Sequence, residues 1–130
     1  MIKNILQVYA LLVCLITVVI LIISVSLSLN LVTNLLIPEY KYSYSLRQYD
    51  SNDDYIEHYK DMGTTQTQKV ISLQQLTPNQ LDEQRLQARA RYLENQKASN
   101  IGGLIEDFQW ILVAMIFFFI HWKIYKKSEK

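Results

Sequence analysis

A single cysteine, Cys14, is all the thiol chemistry that this 130-residue chain contains. It excludes an intrachain disulfide, and its place inside an apolar run leaves no Cys/His arrangement for nucleophilic catalysis. Glycine is nearly as scarce, with three residues, and none belongs to a phosphate-cradling loop. The two histidines, His58 and His121, have no second ligand at metal spacing. His58 reads as a surface residue and His121 as an interfacial one beside Trp122. The formal net charge of +1 lacks the basic surplus of a nucleic-acid-binding chain. No catalytic, cofactor-binding or metal-binding residue can be named, and no cofactor is expected.

What the chain has is apolar surface, and it gathers at the two ends. Half the residues are hydrophobic, yet the middle is polar. No charge occurs from Asn4 to Pro38, and Ile5 to Ile23 is interrupted only by Gln7 and Thr17. A helix needs about 20 apolar residues to cross the hydrocarbon core. A cleaved signal peptide would carry a shorter core and a small-x-small site. This run is longer, and Ser24-Val25-Ser26 is a poor site, so it reads as a retained span. It also overshoots: Lys3 to Leu36 would make a helix of roughly 50 Å against about 30 Å of hydrocarbon. Beyond Ser24, polar residues (Ser26, Asn30, Thr33, Asn34) and apolar ones (Val25, Leu29, Val32, Leu35, Leu36) take opposite sides at helical spacing. This predicts an emerging stalk packed on protein by its apolar side and ended by Pro38, the alternative being polar residues that hydrogen-bond across a helix pair within the membrane.

The second run, Phe108 to Trp122, is uncharged and borrows Ile101, Leu104 and Ile105 to reach spanning length. Trp122 and Tyr125 suit an interface, and Lys123, Lys126, Lys127 and Lys130 follow. Glu39 to Asp107 holds 8 Lys/Arg against 11 Asp/Glu, whereas the tails hold 5 Lys against 1 Glu. Positive residues beside spans stay inside, so both termini are expected in the cytoplasm and residues 38–103 outside.

The middle divides in two. Tyr40, Tyr42, Tyr44, Tyr49, Tyr55 and Tyr59 crowd its first part, and the alternation of Tyr40, Tyr42, Tyr44 and Leu46 predicts a short extended stretch. Tyrosine, apolar in body and polar at its tip, suits a headgroup layer or a protein contact. Asp50-Ser51-Asn52-Asp53-Asp54 with Asp61 imitates a calcium-loop spacing, but Tyr55 stands where that loop needs Gly, so a solvated turn is expected. Gly63 to Gln68 reads as a flexible linker. Thr77, Pro78 and Gln80 then predict an N-cap, first helical position and capping box, with Leu76 and Leu81 as the staple. The helix, about 78–98, carries a thin apolar stripe of Leu86, Ala90 and Leu93, while Arg85, Arg89, Arg91 and Glu94 are solvated or paired. Its continuation points toward the second span, with Gly102-Gly103 as a kink or close-packing point.

The fold class expected is mainly α: a membrane helical hairpin with two transmembrane helices, an extended first helix and a small helical extracytoplasmic segment. Its parts are residues 1–37, 38–100, 101–125 and a basic tail, 126–130. The stretches Val8-Tyr9-Ala10-Leu11-Leu12-Val13-Cys14, Pro38-Glu39-Tyr40, Ser51-Asn52-Asp53-Asp54-Tyr55 and His121-Trp122-Lys123 resemble a group of small uncharacterised bacterial two-span membrane proteins. That resemblance implies a bacterial inner membrane and no particular activity.

Two functions fit. The first is a non-catalytic accessory, assembly or scaffold component, with the lipid bilayer and a membrane-protein complex or homo-oligomer as partners. Its candidate contacts are Tyr40, Tyr42, Tyr44, Tyr49, Tyr55, Leu86 and Leu93. The second is a self-assembling pore or ion-path subunit using the polar residues Ser24, Ser28, Asn30, Glu106 and Asp107. Its weakness is that Thr17 alone is polar deep inside the first span.

Overall fold

The computed structural model describes residues 2–63 and 66–129. It is helical, with no strand among the described residues. The helices are α1 (Ile2–Leu36), α2 (Pro38–Lys41), α3 (Ser43–Leu46), α4 (Asn52–Asp61), α5 (Thr67–Gln74) and α6 (Pro78–Glu129), with a 3-10 turn at Arg47–Tyr49. The chain separates into two compact units, Met1–Thr33 with Asn100–Lys130, and Asn34–Ser99.

In the first unit α1 packs on the C-terminal part of α6. No Gly or Pro interrupts α1, and it stops at Leu36 as predicted, because Pro38 drives Ile37 out of helical geometry (φ −131°, ψ 60°). The inward residues of α1 are Gln7, Ala10, Cys14, Thr17, Leu21, Ser24, Ser28 and Leu31, spaced by alternating threes and fours. On α6 they are Asn100, Leu104, Asp107, Ile111, Ala114, Phe118, His121 and Tyr125, with a like spacing. This is the 3.5-residue repeat of a left-handed helix pair. Tyr9 meets His121, Cys14 meets Phe118 and Ser28 meets Asp107, so the two helices run antiparallel. Small residues let them close up, and Ala10 and Ala114 are both buried. At Gly103 an added Cβ would lie 2.9 Å from Leu31 Cδ1, so this glycine is the close-packing point. Of the two roles expected for the glycine pair this is the second, and α6 runs as one helix through both.

The packed side of α1 differs from the one its sequence predicts. Val25, Leu29 and Val32 are exposed, and Ser24, Ser28 and Leu31 take the inner positions instead. The helical period holds, and Ser26, Asn30 and Thr33 are exposed as expected, but the packed side is turned by about one residue, so that Ser24 and Ser28 join Leu31 against α6.

The second unit is built around Tyr55, Leu73 and Leu81, with Tyr49, Ile56, Tyr59, Leu76 and Ala88 packed against them. The extended stretch expected at Tyr40–Leu46 is helical, in α2 and α3. Tyr42, Leu46 and Tyr49 stand at i, i+4 and i+7 and turn inward, so the helical period overrides the two-residue alternation. The expected solvated turn is the start of α4. Ser51 Oγ accepts from the Asp54 N–H (3.0 Å) and donates to Asp54 Oδ2 (2.6 Å), which makes it an N-cap. Beyond α4, Gly63 takes φ +86°, the left-handed position that ends a helix. Of the expected linker, Thr64 and Thr65 lie outside the described residues, and Thr67 and Gln68 begin α5.

The capping box of α6 is present. The Thr77 N–H donates to Gln80 Oε1 (3.1 Å) and the Gln80 N–H to Thr77 Oγ1 (3.4 Å). Its buried stripe differs from the one predicted. Leu86 and Ala90 face outward, whereas Leu81, Arg85, Ala88 and Tyr92 face the core. An arginine at an inner position hides this stripe from a search for apolar residues.

Candidate functional site

Two constellations carry polar chemistry, one in each unit. Along the seam of the first unit, both polar side chains between Ile5 and Ile23 turn inward, Gln7 half-buried and Thr17 buried. Thr17 Oγ1 donates back to its own helix, with Cys14 O at 2.8 Å. Cys14, also buried, makes a weak S–H contact of 3.9 Å to Phe118 O. His121 is buried, with Nδ1 2.8 Å from Phe117 O, and meets the Tyr9 ring edge-on. Further along, Ser28 Oγ donates to Asp107 Oδ2 at 3.3 Å.

Three of the five polar candidates therefore come together at the seam: buried Ser24, and half-buried Ser28 and Asp107. Asn30 and Glu106 do not; both are exposed. Ser26 and Thr33, also outward, bond to the carbonyls of Ile22 and Leu29 on their own helix. His121 and Cys14 are seam members that composition alone does not pick out. Their signal is phase, seven residues from Ala114 on one helix and three from Thr17 on the other.

In the second unit the tyrosines form a chain of ring contacts. Tyr42 meets Tyr92 (6.1 Å between centroids), Tyr92 meets Tyr49 (6.1 Å), Tyr49 meets Tyr55 (5.9 Å) and Tyr55 meets Tyr59 (5.3 Å). Tyr55 is 2% exposed. Burial raises its hydroxyl well above the usual tyrosine range, helped by the Tyr59 hydroxyl, and burial likewise raises Tyr49. Arg85 fastens this chain. Nε donates to Asn52 Oδ1 (3.0 Å), Nη1 to Tyr49 O (2.6 Å) and Asp50 O (3.0 Å), and Nη2 to Asp82 Oδ1 (2.9 Å). No apolar pattern points to Arg85.

Of the seven candidate contact residues, Tyr42, Tyr49 and Tyr55 are thus engaged within the unit, and Leu93 is half-buried. Tyr40, Tyr44 and Leu86 remain outward. Tyr44 lies under the Arg47 guanidinium (5.9 Å) and borders a shallow polar depression of about 470 Å³ with Ser45, Gln48 and His58. The carboxylates nearby do not gather: among the described residues no three His, Cys, Asp or Glu side chains are placed to hold a metal ion.

No protein-family model, no curated protein and no solved structure matches the chain. Its functional reading therefore rests on its own geometry. Two helices are long and apolar enough to cross a membrane, Ile5–Leu36 and Pro78–Lys127. Their outward side chains are large and apolar, among them Leu15, Ile22, Phe119 and Ile120, each more than half exposed. That is an inside-out distribution, with polar groups sheltered and apolar groups presented to the surroundings.

Proposed function

We propose that the chain is an integral membrane protein of the inner membrane whose two apolar helices form a hairpin, with both termini cytoplasmic and residues 38–103 outside. It serves as a non-catalytic accessory or scaffold component that works through packing and surface contact. The observation that carries this reading is the inverted distribution of the first unit. Its interior seam gathers Thr17, Ser24, Ser28, Asp107 and His121, while its surround is a continuous apolar coat. In water such a coat is far larger than the few hundred Å² that soluble monomers expose; in lipid it needs no cover.

The accessory reading is favoured because the inward polar groups bond to each other or to backbone, as Ser28 does to Asp107 and Thr17 to Cys14. The pore reading needs these same groups to line a lumen in an assembly, and their mutual bonding argues against it. Orientation rests on the lysines that flank both spans on one side. Reporter domains fused to each terminus are expected to read cytoplasmic. One inserted near Thr65, which lies outside the described residues, is expected to read external. An external terminus would overturn the hairpin.

A further inference from the structure

Within the apolar stretch both sides of the helix pair are large and apolar, the opposite one with Ile16, Ile23, Phe117 and Ile120, but past Ser28 and Asp107 the two sides differ. One position beyond the seam, each helix carries a stripe of large apolar residues. On α1 it includes Leu15, Val18, Leu29 and Val32, and on α6 Ile101, Ile105, Phe108 and Phe119. A step of one residue turns about 100° around a helix. Because the helices are antiparallel, that step turns toward the same side of the pair on both. The two stripes therefore form a single face. On the opposite side, one position before the seam, stand Asn30 and Glu106, both exposed.

Lipid explains only part of this face. In the membrane reading, Glu106 and Asp107, the latter level with Ser28, are the first charges above the apolar stretch of α6 and set its outer boundary. Leu29 (63% exposed), Val32 (38%), Ile101 (42%) and Ile105 (57%) lie beyond that level, yet they stay uncovered. The face also has relief. At its other end an apolar groove of about 430 Å³ runs along α1, lined by Val8, Leu11, Leu12, Cys14, Leu15 and Val18. At the same depth, set by the Cys14–Phe118 contact, the neighbouring stripe of α6 presents Phe119 (59% exposed) as a ridge.

We propose that a second copy of this chain covers this face, related by a two-fold axis parallel to the helices. This rests on the membrane reading above. The two-fold sets α1 of one copy against α6 of the other. Phe119 of each then enters the groove of its partner, and the Leu29–Val32 stripe of each meets the Ile101–Ile105 stripe of the other. A self-complementary surface of this kind is what a closed dimer requires, and the product is a four-helix bundle. The face carries no charge between Leu11 and Val32 to oppose the pairing. Large, about half-exposed side chains along its whole length present on the order of 1,000 Å², above the ~800 Å² that each partner buries in a standard interface.

The test uses the full chain in isolated membranes, in a Cys14→Ser background, with two distinguishable tags. A Leu29→Cys chain co-expressed with an Ile105→Cys chain is expected to give a disulfide-linked dimer carrying both tags on mild oxidation. An Asn30→Cys chain with a Glu106→Cys chain is expected to stay monomeric. Adding Phe119→Ala should lower the first yield roughly tenfold, since a groove-filling aromatic is a typical anchor. The two-fold contact is overturned if the Asn30/Glu106 pair links preferentially or neither pair links. It is also overturned if the linked species contains a different protein. A carbonate wash of the same membranes separates the two readings. Release of the chain would sink the membrane assignment, whereas retention without the Leu29–Ile105 link sinks the dimer alone.

Discussion

Arg85 holds four oxygens, three from the stretch 49–52 and one from its own helix, and its side chain is only 16% exposed. The planar fork suits this task in a way that an ammonium does not. Arg85→Lys is therefore expected to destabilise the Asn34–Ser99 unit by ~1–2 kcal/mol, and Arg85→Ala by about 2–3 kcal/mol, because the Tyr49 and Asp50 carbonyls lose their donors. Protease susceptibility of the full chain in detergent gives the order. The exposed Arg89–Glu39 pair serves as control, with Arg89→Ala expected to matter little. Tyr55 brings a pH dependence of its own. Its raised hydroxyl means that the neutral form is preferred in the folded chain. Its contribution to stability is fully present below the ordinary tyrosine value of about 10 and is lost as pH rises through the higher folded value. Absorbance of tyrosinate should show a late-titrating step above that of the exposed tyrosines, coincident with loss of protection, and Tyr55→Phe should remove it. A Tyr55 that titrates with the exposed rings would contradict its burial.

Within α6, the adjacent glycines separate helix propensity from packing. A methyl group added at Gly102 would meet open space, whereas one at Gly103 would lie 2.9 Å from Leu31. Gly102→Ala is expected to raise the thermal midpoint, by ~0.5–1 kcal/mol of helix propensity. Gly103→Ala should return less of that gain, since Leu31 must move, and Gly103→Val should lose stability. Equal gains from both alanines would mean that α1 does not press on Gly103. Helix ends with local signals are legible in the sequence: the stop of α1 at Pro38, and the Thr77–Gln80 box that starts α6. The start of α4 is not, because Ser51-Asn52-Asp53-Asp54 has the look of a metal-like turn and its cap function shows only with the helix behind it. In the α2–α3 stretch, two-residue tyrosine spacing masks the inward Tyr42, Leu46 and Tyr49. The seam is half legible for a related reason. Ser24, Ser28 and Asp107 lie on it, whereas Asn30 and Glu106 do not, since composition does not give helix phase relative to an unseen neighbour.

The two units have opposite surfaces. The Asn34–Ser99 unit buries aromatic and aliphatic side chains and leaves most of its charges outside, as a water-facing fold does. The helix pair does the reverse, so its cohesion comes from close approach and seam bonds. Its sole thiol, Cys14, is 5% exposed, with Sγ turned to the Phe118 carbonyl of the neighbouring helix at the floor of the α1 groove. A membrane-permeant alkylating reagent should reach the sulfur chiefly when α1 and α6 move apart, so its rate of modification acts as a clock for that opening. Labelling of Cys14 is expected to be far slower than that of a cysteine placed at exposed Ile16, and Ala114→Leu, which wedges the helices apart, should accelerate it. Cys14 reacting as fast as the exposed site would mean that the helices do not stay together, and the clock would then read zero delay.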